Sequence, residues 1–519
     1  MRRLHPLSAV GRVLRTALQF GALAFFLVVV VGEFVGIGTL ALRLTLVPLA
    51  VVAGVVYATA RYLRFEYAVE GETLVVASGV FDRQERTIPL GRIQNVDLRQ
   101  GIVQRLFGLA VVTFETAGGS GTEAKLDAVG IDEARRLQRA VERRGREETA
   151  DTGPGATATA GEQAAGATPP SEPDAAEHIY ALSTSDLLIM SAVSIRPAAP
   201  ALVLFGAPLG DDLALSILSA TVGALGGPTD LSPAAVVGYS PAQIGLIAAV
   251  ALAEFLLAAW LASVVLTVIE YYDFRLSRVG DDLRYERGLL QRYSGTIPLE
   301  KVQTVTVREN VLMRPFGYAA LAVETAGYGA GNDDQTANTA VPLDDRATVV
   351  DLAETLGGVE SPAVERPPKR ARRRYIVRFS LLPVAVAAVL ALVDALAVPI
   401  PWWPLVLVGL LVTPVAGHLA WRHRGHAATD RTFAARKGFW RRRTRLVPYY
   451  RVQTVVGERT VFQRWRNLAS VTADTASSAS LLGGSATAHD IDDATARDLH
   501  RSLRDRLRED LRRRKGERS

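Results

Sequence analysis

The stretch IPLGRIQNV at residues 88–96 returns as IPLEKVQTV at 297–305 and as VPYYRVQTV at 447–455. When Gln94, Gln303 and Gln453 are aligned, further residues recur at fixed distances on both sides without a gap. The recurring positions are a glycine, a proline, an arginine and a threonine: Gly79, Gly288, Gly438; Pro89, Pro298, Pro448; Arg105, Arg314, Arg464; Thr116, Thr325, Thr475. Such self-similarity fixes the architecture, so the sequence predicts three copies of one module.

Each copy has the pattern of a small antiparallel sheet followed by a helix. The segments 67–79 (YAVEGETLVVASG) and 273–288 (DFRLSRVGDDLRYERG) alternate in polarity around a turn that contains glycine. Acidic residues precede helical spacing at 131–133, 343–345 and 491–493, where aspartate is a good N-cap. The last helix runs on into an arginine-rich tail with leucines at every fourth position, which predicts docking on its own module, or contact with the inner leaflet as the alternative.

Six apolar segments form three pairs, and each is close to the ~20 residues that cross a bilayer. They are roughly 17–37 and 40–60, 187–209 and 243–269, and 379–397 and 402–421. Within the windows 16–60, 179–272 and 379–421, Arg43 and Arg196 are the only basic residues of the 59 in the chain. By the positive-inside rule, both termini and all modules are predicted to be cytoplasmic, on a multi-pass protein of the plasma or inner membrane.

Composition shifts then give the predicted boundaries of hairpins, modules and linkers. They are a first transmembrane hairpin (1–64), module 1 (65–146), a disordered linker (147–178), a second hairpin (179–271), module 2 (272–358), a basic linker (359–376), a third hairpin (377–424), and module 3 with a basic helical tail (425–519).

A strand-rich module of this size, placed directly after a transmembrane hairpin, resembles the membrane-flanked bacterial pleckstrin-homology (PH) domain proteins, the YdbS/YdbT-like group. The resemblance rests on the Ile-Pro-Leu-x-[Arg/Lys]-[Ile/Val]-Gln core, the Arg-x-Phe-Gly turn and the Glu-Thr-Ala-Gly strand end. It implies α-helical membrane hairpins plus cytoplasmic α+β modules, that is, three PH-like β-sandwich or barrel domains, each capped by a C-terminal helix. It implies no agreed biochemical activity.

The composition excludes several classes of site. The chain has no cysteine, which removes disulfides, zinc–thiolate sites, iron–sulfur clusters and thiol nucleophiles. The net charge of +6 is explained by the basic residues beside the apolar segments, so no nucleic-acid partner is predicted. No Walker A, His-Glu-x-x-His or Gly-x-Ser-x-Gly pattern occurs, and neither a catalytic residue nor a cofactor is predicted. His418, His423 and His426 are spaced loosely, and no metal site is predicted there.

The repeated residues are interpreted as structural rather than as ligand contacts. An amide inside a small sheet satisfies backbone groups that would otherwise lack a partner. The prolines are expected at a strand start or edge, and Gly108 and Gly317 are expected to allow a backbone conformation closed to other residues. Two further candidates are the intramembrane charges Arg196 and Glu254, which either form a charged pair lining a polar path or have a purely structural role.

Phosphoinositide binding is disfavoured for the first two modules. Their first hairpin turns carry Glu70 and Glu72, and Asp281 and Asp282, which would repel a phosphate. The third module is basic there, with Arg431, Arg436, Lys437 and Arg441–Arg443.

These features predict a non-enzymatic membrane scaffold or adaptor that presents three modules for protein interaction, and the family resemblance adds a role in envelope stress tolerance. The expected partners are the lipid bilayer, proteins of unknown identity and further copies of the chain. Two alternatives remain: anionic-lipid sensing by module 3 and its tail, and a transporter or transport accessory that uses Arg196 and Glu254.

Overall fold

The computed structural model describes residues 2–3, 6–35, 39–70, 73–80, 83–90, 93–116, 124–139, 141, 177–206, 211–325, 339–396, 403–476 and 485–517. Almost all of the predicted linker 147–178 lies outside these ranges.

The elements follow one another as three helical hairpins, each leading into a set of strands. The first part comprises β1 (Arg2–Arg3), α1 (Pro6–Val35), α2 (Thr39–Leu63), β2 (Glu66–Glu70), β3 (Thr73–Ser78), β4 (Gln84–Pro89), β5 (Ile93–Gln100), α3 (Ile102–Leu106), β6 (Leu109–Thr116), β7 (Ala124–Gly130) and α4 (131–139). The second comprises β8 (Glu177–Ala181), α5 (Thr184–Val193), α6 (Ala198–Gly206), α7 (Asp211–Ala224), α8 (Pro233–Val236), α9 (Pro241–Tyr271), β9 (Arg275–Val279), β10 (Asp282–Arg287), β11 (Arg292–Pro298), β12 (Val302–Asn310), β13 (Tyr318–Thr325), β14 (Thr339–Asp345) and α10 (Arg346–Gly357). The third comprises α11 (Lys369–Leu396), a 3-10 helix (Trp403–Leu411), α12 (Thr413–Arg422), β15 (Gly425–Ala428), β16 (Thr432–Lys437), β17 (Arg441–Pro448), β18 (Val452–Glu458), α13 (Val461–Arg464), β19 (Leu468–Thr475), β20 (Ala486–Asp492) and α14 (Asp493–Glu517).

Four helical stretches in the described part of the chain are long and apolar enough to cross a membrane: Leu44–Leu63, Pro241–Tyr271, Lys369–Leu396 and Trp403–Arg422. The described apolar part of α1, Val13–Val28, is shorter. A bent pair, Thr184–Val193 with Ala198–Leu204, makes a fifth span if the two helices cross together. Within the described residues, four of the six segments expected from hydropathy are long enough to span a membrane, or five if the bent pair counts as one span.

The segment expected at 187–209 is a broken helix. Helices α5 and α6 meet at an angle of 72°, and the break at 194–197 contains Arg196 and Pro197. Proline has no N–H to donate and disfavours helical geometry in the residue before it, which explains why the helix stops here. The connection from α6 to α9 contains two further helices, α7 and α8.

Each copy consists of two packed halves, and four of the six halves share a sheet with a neighbouring copy. The four sheets have the orders β1-β2-β3-β4, β7-β6-β5-β11-β10-β9-β8, β14-β13-β12-β17-β16-β15 and β18-β19-β20. The second half of copy 1 is thus continuous with the first half of copy 2, and the same holds for copies 2 and 3. We predicted one sandwich or barrel per copy, whereas the hydrogen-bonded sheets cross the copy boundaries.

The cores show why the halves of a copy stay together. In copy 1, Leu74 and Ile88 from the first half pack with Val112 and Phe114 from the second, and all four are at most 3% exposed. Helix α10 contributes Val349 and Ala353 to the core of copy 2, and α14 contributes Leu499 and Leu503 to that of copy 3. The first leucines of the basic tail therefore pack on their own module.

Candidate functional site at the module junctions

The repeat glutamines stand where the strand register shifts. Strand β5 pairs with β6 at Ile93 and then at Asn95, β12 with β13 at Val302 and then at Thr304, and β18 with β19 in the same way. The residue passed over is Gln94, Gln303 or Gln453, which makes each glutamine the extra residue of a bulge. Gln303 is 6% exposed and its Nε2 donates to the carbonyl of Lys301 at 3.1 Å.

The other repeated residues surround this bulge. Each repeat proline is the last residue of its strand, β4, β11 or β17. Each repeat threonine lies opposite the first residue of the bulged strand, as Thr325 lies opposite Val302. Gly108, Gly317 and Asn467 have φ of +63°, +74° and +50°, so the third copy reaches the left-handed conformation without glycine.

The repeat arginine connects one copy to the next. Arg105 Nη1 donates to the carbonyl of Leu289 at 3.0 Å, and Arg314 Nη2 donates to the carbonyl of Phe439 at 2.7 Å. Both acceptors directly follow the repeat glycine of the next copy, Gly288 or Gly438. Among the described residues, Arg464 makes no equivalent bond to a later copy. The sequence could show this residue to be repeated but could not show what it contacts.

The first junction joins β5 to β11. Paired positions include Arg292 with Gln100 and Ser294 with Leu98. The hydroxyl of Tyr285 donates to Asp97 Oδ1 at 3.3 Å, and Gln138 of α4 bonds Thr296 at 3.3 Å. Gly295 lies under these groups, because a Cβ there would stand 2.5 Å from Asp97 Oδ1. The two copies therefore meet through buried, closely packed polar groups as well as through the sheet.

The second junction joins β12 to β17 over six paired positions and is held by charge. Glu309, whose side chain is 2% exposed, accepts two hydrogen bonds from Arg442, one of them from Nε at 2.8 Å. Arg346 of α10 lies 3.6 Å from the same carboxylate, and Arg445 lies 3.6 Å from Glu324. Sequence reasoning missed Glu309, although a lone carboxylate in the strand VQTVTVREN was a signal.

Both junctions have the same register. Ser294 lies nine residues before Gln303, and its partner Leu98 lies four residues after Gln94. Leu446 lies seven residues before Gln453, and its partner Val305 lies two residues after Gln303. When each residue's position is counted from the repeat glutamine of its own copy, the positions of the two partners sum to minus five at both junctions. The two junctions therefore pair equivalent residues.

The break in the second membrane hairpin is bonded to this second junction. Helix breaks leave carbonyls that need donors. Asn310 of β12 donates to the carbonyl of Val193 at 2.7 Å, and Arg441 of β17 donates to that of Ile195 at 3.0 Å. Ser263 of α9 donates to Ser194 at 3.0 Å. Modules 2 and 3 therefore each donate a hydrogen bond to a backbone carbonyl at the helix break.

Arg196 and Glu254 do not meet. Arg196 forms an ion pair with Glu270 and a 2.9 Å hydrogen bond to Thr267. Glu270 also contacts Arg287 at 3.4 Å and lies 16 residues, or about 24 Å of helix, from Glu254. The structure therefore shows no Arg196–Glu254 pair that could line a polar path. Arg196 belongs instead to a group with Glu270 and Arg287 at the end of α9. The acid in TVIEYY was visible in the sequence but was not considered.

A cavity of about 420 Å³ opens at the break, lined among others by Arg196, Arg308, Arg441 and Arg443 together with Glu309. Burial, and next the neighbouring Arg443, lowers the pKa of Arg308 to about 10. Burial and nearby arginines also lower the pKa of Arg443. The guanidinium groups thus disfavour one another's charge, and an anion in the cavity would relieve this repulsion.

The remaining candidates lie elsewhere. Asp281 of the acidic turn is 91% exposed beside Arg278, and Glu72 lies outside the described residues. Of the basic residues of module 3, Arg442 is engaged by Glu309, and burial lowers the pKa of Lys437 to about 8, with Arg445 and Arg443 adding to the effect.

The three histidines are separate. His423 lies 3.1 Å from Arg314, and burial followed by that arginine lowers its pKa to about 4. The His418 ring lies 5.6 Å from the Trp421 ring in a tilted arrangement, and His426 pairs with Glu365 through the backbone. Within the described ranges, no group of three or more His, Asp or Glu side chains could hold a metal ion.

Asp490 joins the third hairpin to module 3. It is 1% exposed, forms an ion pair with Arg374 of α11, and accepts hydrogen bonds from the Tyr375 hydroxyl and, at 2.8 Å, from Gln463 of α13. Arg424 lies 3.8 Å away. This aspartate was not singled out from the sequence, where it is one of several acids before the last helix.

Comparisons with known proteins agree with the three-copy architecture. The family model described as bacterial PH domain matches residues 22–145, 224–358 and 379–514. The chain is 25% identical over 494 residues to the UPF0699 transmembrane protein YdbT of Bacillus subtilis (strain 168), covering 92% of this chain and 93% of that protein. No solved structure matches significantly.

Proposed function

This chain belongs to the bacterial PH domain family, and we propose that it is a non-enzymatic membrane scaffold whose three modules, each PH-like and closed by its helix, form one continuous cytoplasmic array for protein partners. The observation that carries the proposal is the sharing of sheets between successive copies. Modules tethered only by linkers would move independently, whereas these are joined by hydrogen-bonded strands. The proposal includes the plasma-membrane location and the role in envelope stress tolerance implied by the family resemblance.

The hairpins support this role by fixing the array to the membrane. Asn310 and Arg441 bond the broken helix of the second hairpin, and Asp490 bonds the third. A partner that docks across two modules would therefore meet surfaces held at a fixed height and spacing. Preorganisation of this kind raises affinity, because less freedom is lost on binding.

Photo-crosslinking in cells tests the proposal. A crosslinking amino acid replaces Thr348, which is exposed on α10, in the full-length chain. We expect adducts with a small set of proteins, reduced at least tenfold when Glu309→Ala opens the second junction. Glu286→Ala, which removes an exposed ion pair with Arg292, is the matched control and should leave the adducts unchanged. Adducts with lipid alone, or a protein set unaffected by Glu309→Ala, would refute the scaffold.

The cavity at the break favours a second function, recognition of an anionic lipid headgroup. Four arginines surround a space that lies at the end of a membrane helix. A surface cation contributes about 1 kcal/mol to attraction by anionic lipid, so removing one should weaken binding about fivefold.

Native mass spectrometry of the full-length protein tests this second function. Phosphatidylglycerol, phosphatidylcholine and inorganic phosphate are added in separate arms. We expect phosphatidylglycerol adducts that fall about fivefold in Arg443→Ala and stay constant in Arg501→Ala, which alters an exposed arginine of α14. Equal adducts with phosphatidylcholine would exclude headgroup recognition, and binding of inorganic phosphate alone would indicate a soluble anion instead.

A further inference from the structure

In the described part of the chain, two strands of the repeat lack the neighbour that their equivalents have. Strands β4, β11 and β17 occupy the same place in copies 1, 2 and 3, as do β5, β12 and β18. Within the chain, β5 pairs with β11 and β12 pairs with β17. Among the described residues, β4 is the outermost strand of its sheet and β18 the outermost strand of another. The exposed edges of β4 and β18 are therefore of the two types that pair with each other inside the chain.

Burial shows what a junction does to these strands. In β12, Thr306, three residues after the repeat glutamine, is 0% exposed. Its equivalent in β18, Val456, is 37% exposed, and the two residues that follow it are also exposed. In β4, residues 84–87 are all exposed, whereas the equivalent residues 443–446 of β17 are half-buried or buried. An exposed edge strand presents N–H and C=O groups that can pair with another chain.

We propose that β18 of one chain pairs antiparallel with β4 of a second copy, repeating the internal junction between molecules. The shared register then fixes the partners, because the offsets from the repeat glutamines must sum to minus five. Val456 lies three residues after Gln453 and faces Arg86, eight residues before Gln94. Glu458 accordingly faces Gln84. Successive additions generate a row of chains, or a closed ring if the angle between copies allows it.

Side chains at the two edges fit this register. Glu458 lies diagonal to Arg86, so that its carboxylate has an opposite charge within reach of a long side chain. Arg464, for which the described residues give no acceptor in a later copy, would donate to the carbonyl of Val80, which follows the repeat glycine Gly79. That carbonyl accepts one hydrogen bond from Arg64 and has a second lone pair available.

The membrane does not obstruct this pairing. Successive copies share sheets, so both edges of every chain lie on the same side of the bilayer and can meet by lateral diffusion. The inference goes beyond the scaffold, which a single chain could provide, and its test does not depend on any other protein.

Disulfide formation between single-cysteine chains tests the register, and the absence of native cysteine removes any background. Full-length Arg86→Cys and Val456→Cys, carrying different tags, are co-expressed and oxidised in native membranes. We expect a crosslinked pair that carries both tags, because directly opposite residues in a sheet have Cα atoms about 4.5–5.5 Å apart, within disulfide range. Replacing Val456→Cys by Val455→Cys, whose side chain points to the other face, should lower the yield at least tenfold.

Each other outcome overturns the proposal. Equal yields from Val456→Cys and Val455→Cys would mean random collision, and pairs of identical tags would mean a symmetric contact. In a chain that carries both Arg86→Cys and Val456→Cys, an internal disulfide without pairs between chains would mean that one chain closes on itself. The pair Gln84→Cys and Glu458→Cys provides an independent test in the same register if either first variant fails to accumulate.

Discussion

The carboxylate of Glu309 should decide whether modules 2 and 3 stay joined, and the change that tests this is Glu309→Gln. The variant keeps the size of the side chain but removes a charge that is 2% exposed and contacts Arg442 and Arg346. Removing one partner of a buried pair typically costs about 3–5 kcal/mol. We take the lower end because Arg442 keeps 18% of its side chain exposed, which lets water solvate part of the released charge.

A loss of about 3 kcal/mol raises the open fraction of the junction about a hundredfold. The assay is hydrogen exchange followed by mass spectrometry on the full-length protein in nanodiscs, read at the amides of β17. Exchange there should accelerate by about that factor while β19 and β20 stay protected.

Glu286→Gln is the matched control, because it removes a cross-strand ion pair with Arg292 whose side chains are 44% and 49% exposed. Exposed pairs contribute at most about 1 kcal/mol, so exchange in β10 and β11 should rise less than about fivefold. Similar effects from both variants would refute the view that a buried carboxylate holds the junction.

Three further predictions concern module 3 in the full-length protein. Gly438→Ala should lower the free energy of unfolding by about 1–3 kcal/mol, since φ is +95° and a Cβ would stand 2.1 Å from the carbonyl oxygen of Arg441. In a thermal unfolding assay the control Gly457→Ala, whose added Cβ would have its nearest contact at 3.6 Å, should change the melting temperature little. Equal shifts in the melting temperature of the two variants would contradict the reasoning. Burial, followed by nearby cations, lowers the pKa of His489 to about 4, so the neutral form stabilises the fold fully above pH 6.5 and this stability is lost as the pH falls towards 4. The melting temperature should therefore decline between pH 6.5 and pH 4, and less steeply in His489→Gln. Identical pH profiles of the two proteins would exclude a contribution from His489. Asp490→Asn, which can keep the observed φ of +54°, should cost about 3–5 kcal/mol and accelerate hydrogen exchange in both α11 and α13; acceleration confined to β20 would show that it does not couple the hairpin to the module.

The sequence predicted the parts of this fold that depend on local pattern. Aligning Gln94, Gln303 and Gln453 located the three copies, and hydropathy located the hairpins. The pairing of β5 with β11 could not be predicted, because alternating polarity shows which face of a strand is buried but not which strand lies at its edge. The same limit hid the role of Arg105, whose acceptor lies 184 residues away.

Of the two alternatives left open for Arg196, the charged pair with Glu254 was wrong for a related reason. The position of Arg196 inside an apolar segment suggested a charge at membrane depth, to be matched by Glu254 in the neighbouring helix. The break at Pro197 instead turns the chain, so that Arg196 meets Glu270 at the end of α9. The prolines Pro197 and Pro200 beside Arg196 were the available signal, because the change of helix direction at this point determines which acid Arg196 can reach.

The sharing of sheets between copies determines the order in which parts of the protein can be completed during synthesis. Strand β5 ends at Gln100 and its neighbour β11 begins at Arg292, so the ribosome adds roughly 190 residues between them, which takes about 10–40 s at ~5–20 residues per second. During that interval the nascent chain holds an exposed sheet edge next to a hairpin that is still entering the bilayer. Insertion of the second hairpin must therefore precede completion of the first module. A truncation placed between copies would leave that edge exposed permanently, whereas one placed inside a copy, between β4 and β5, would keep a whole sheet together.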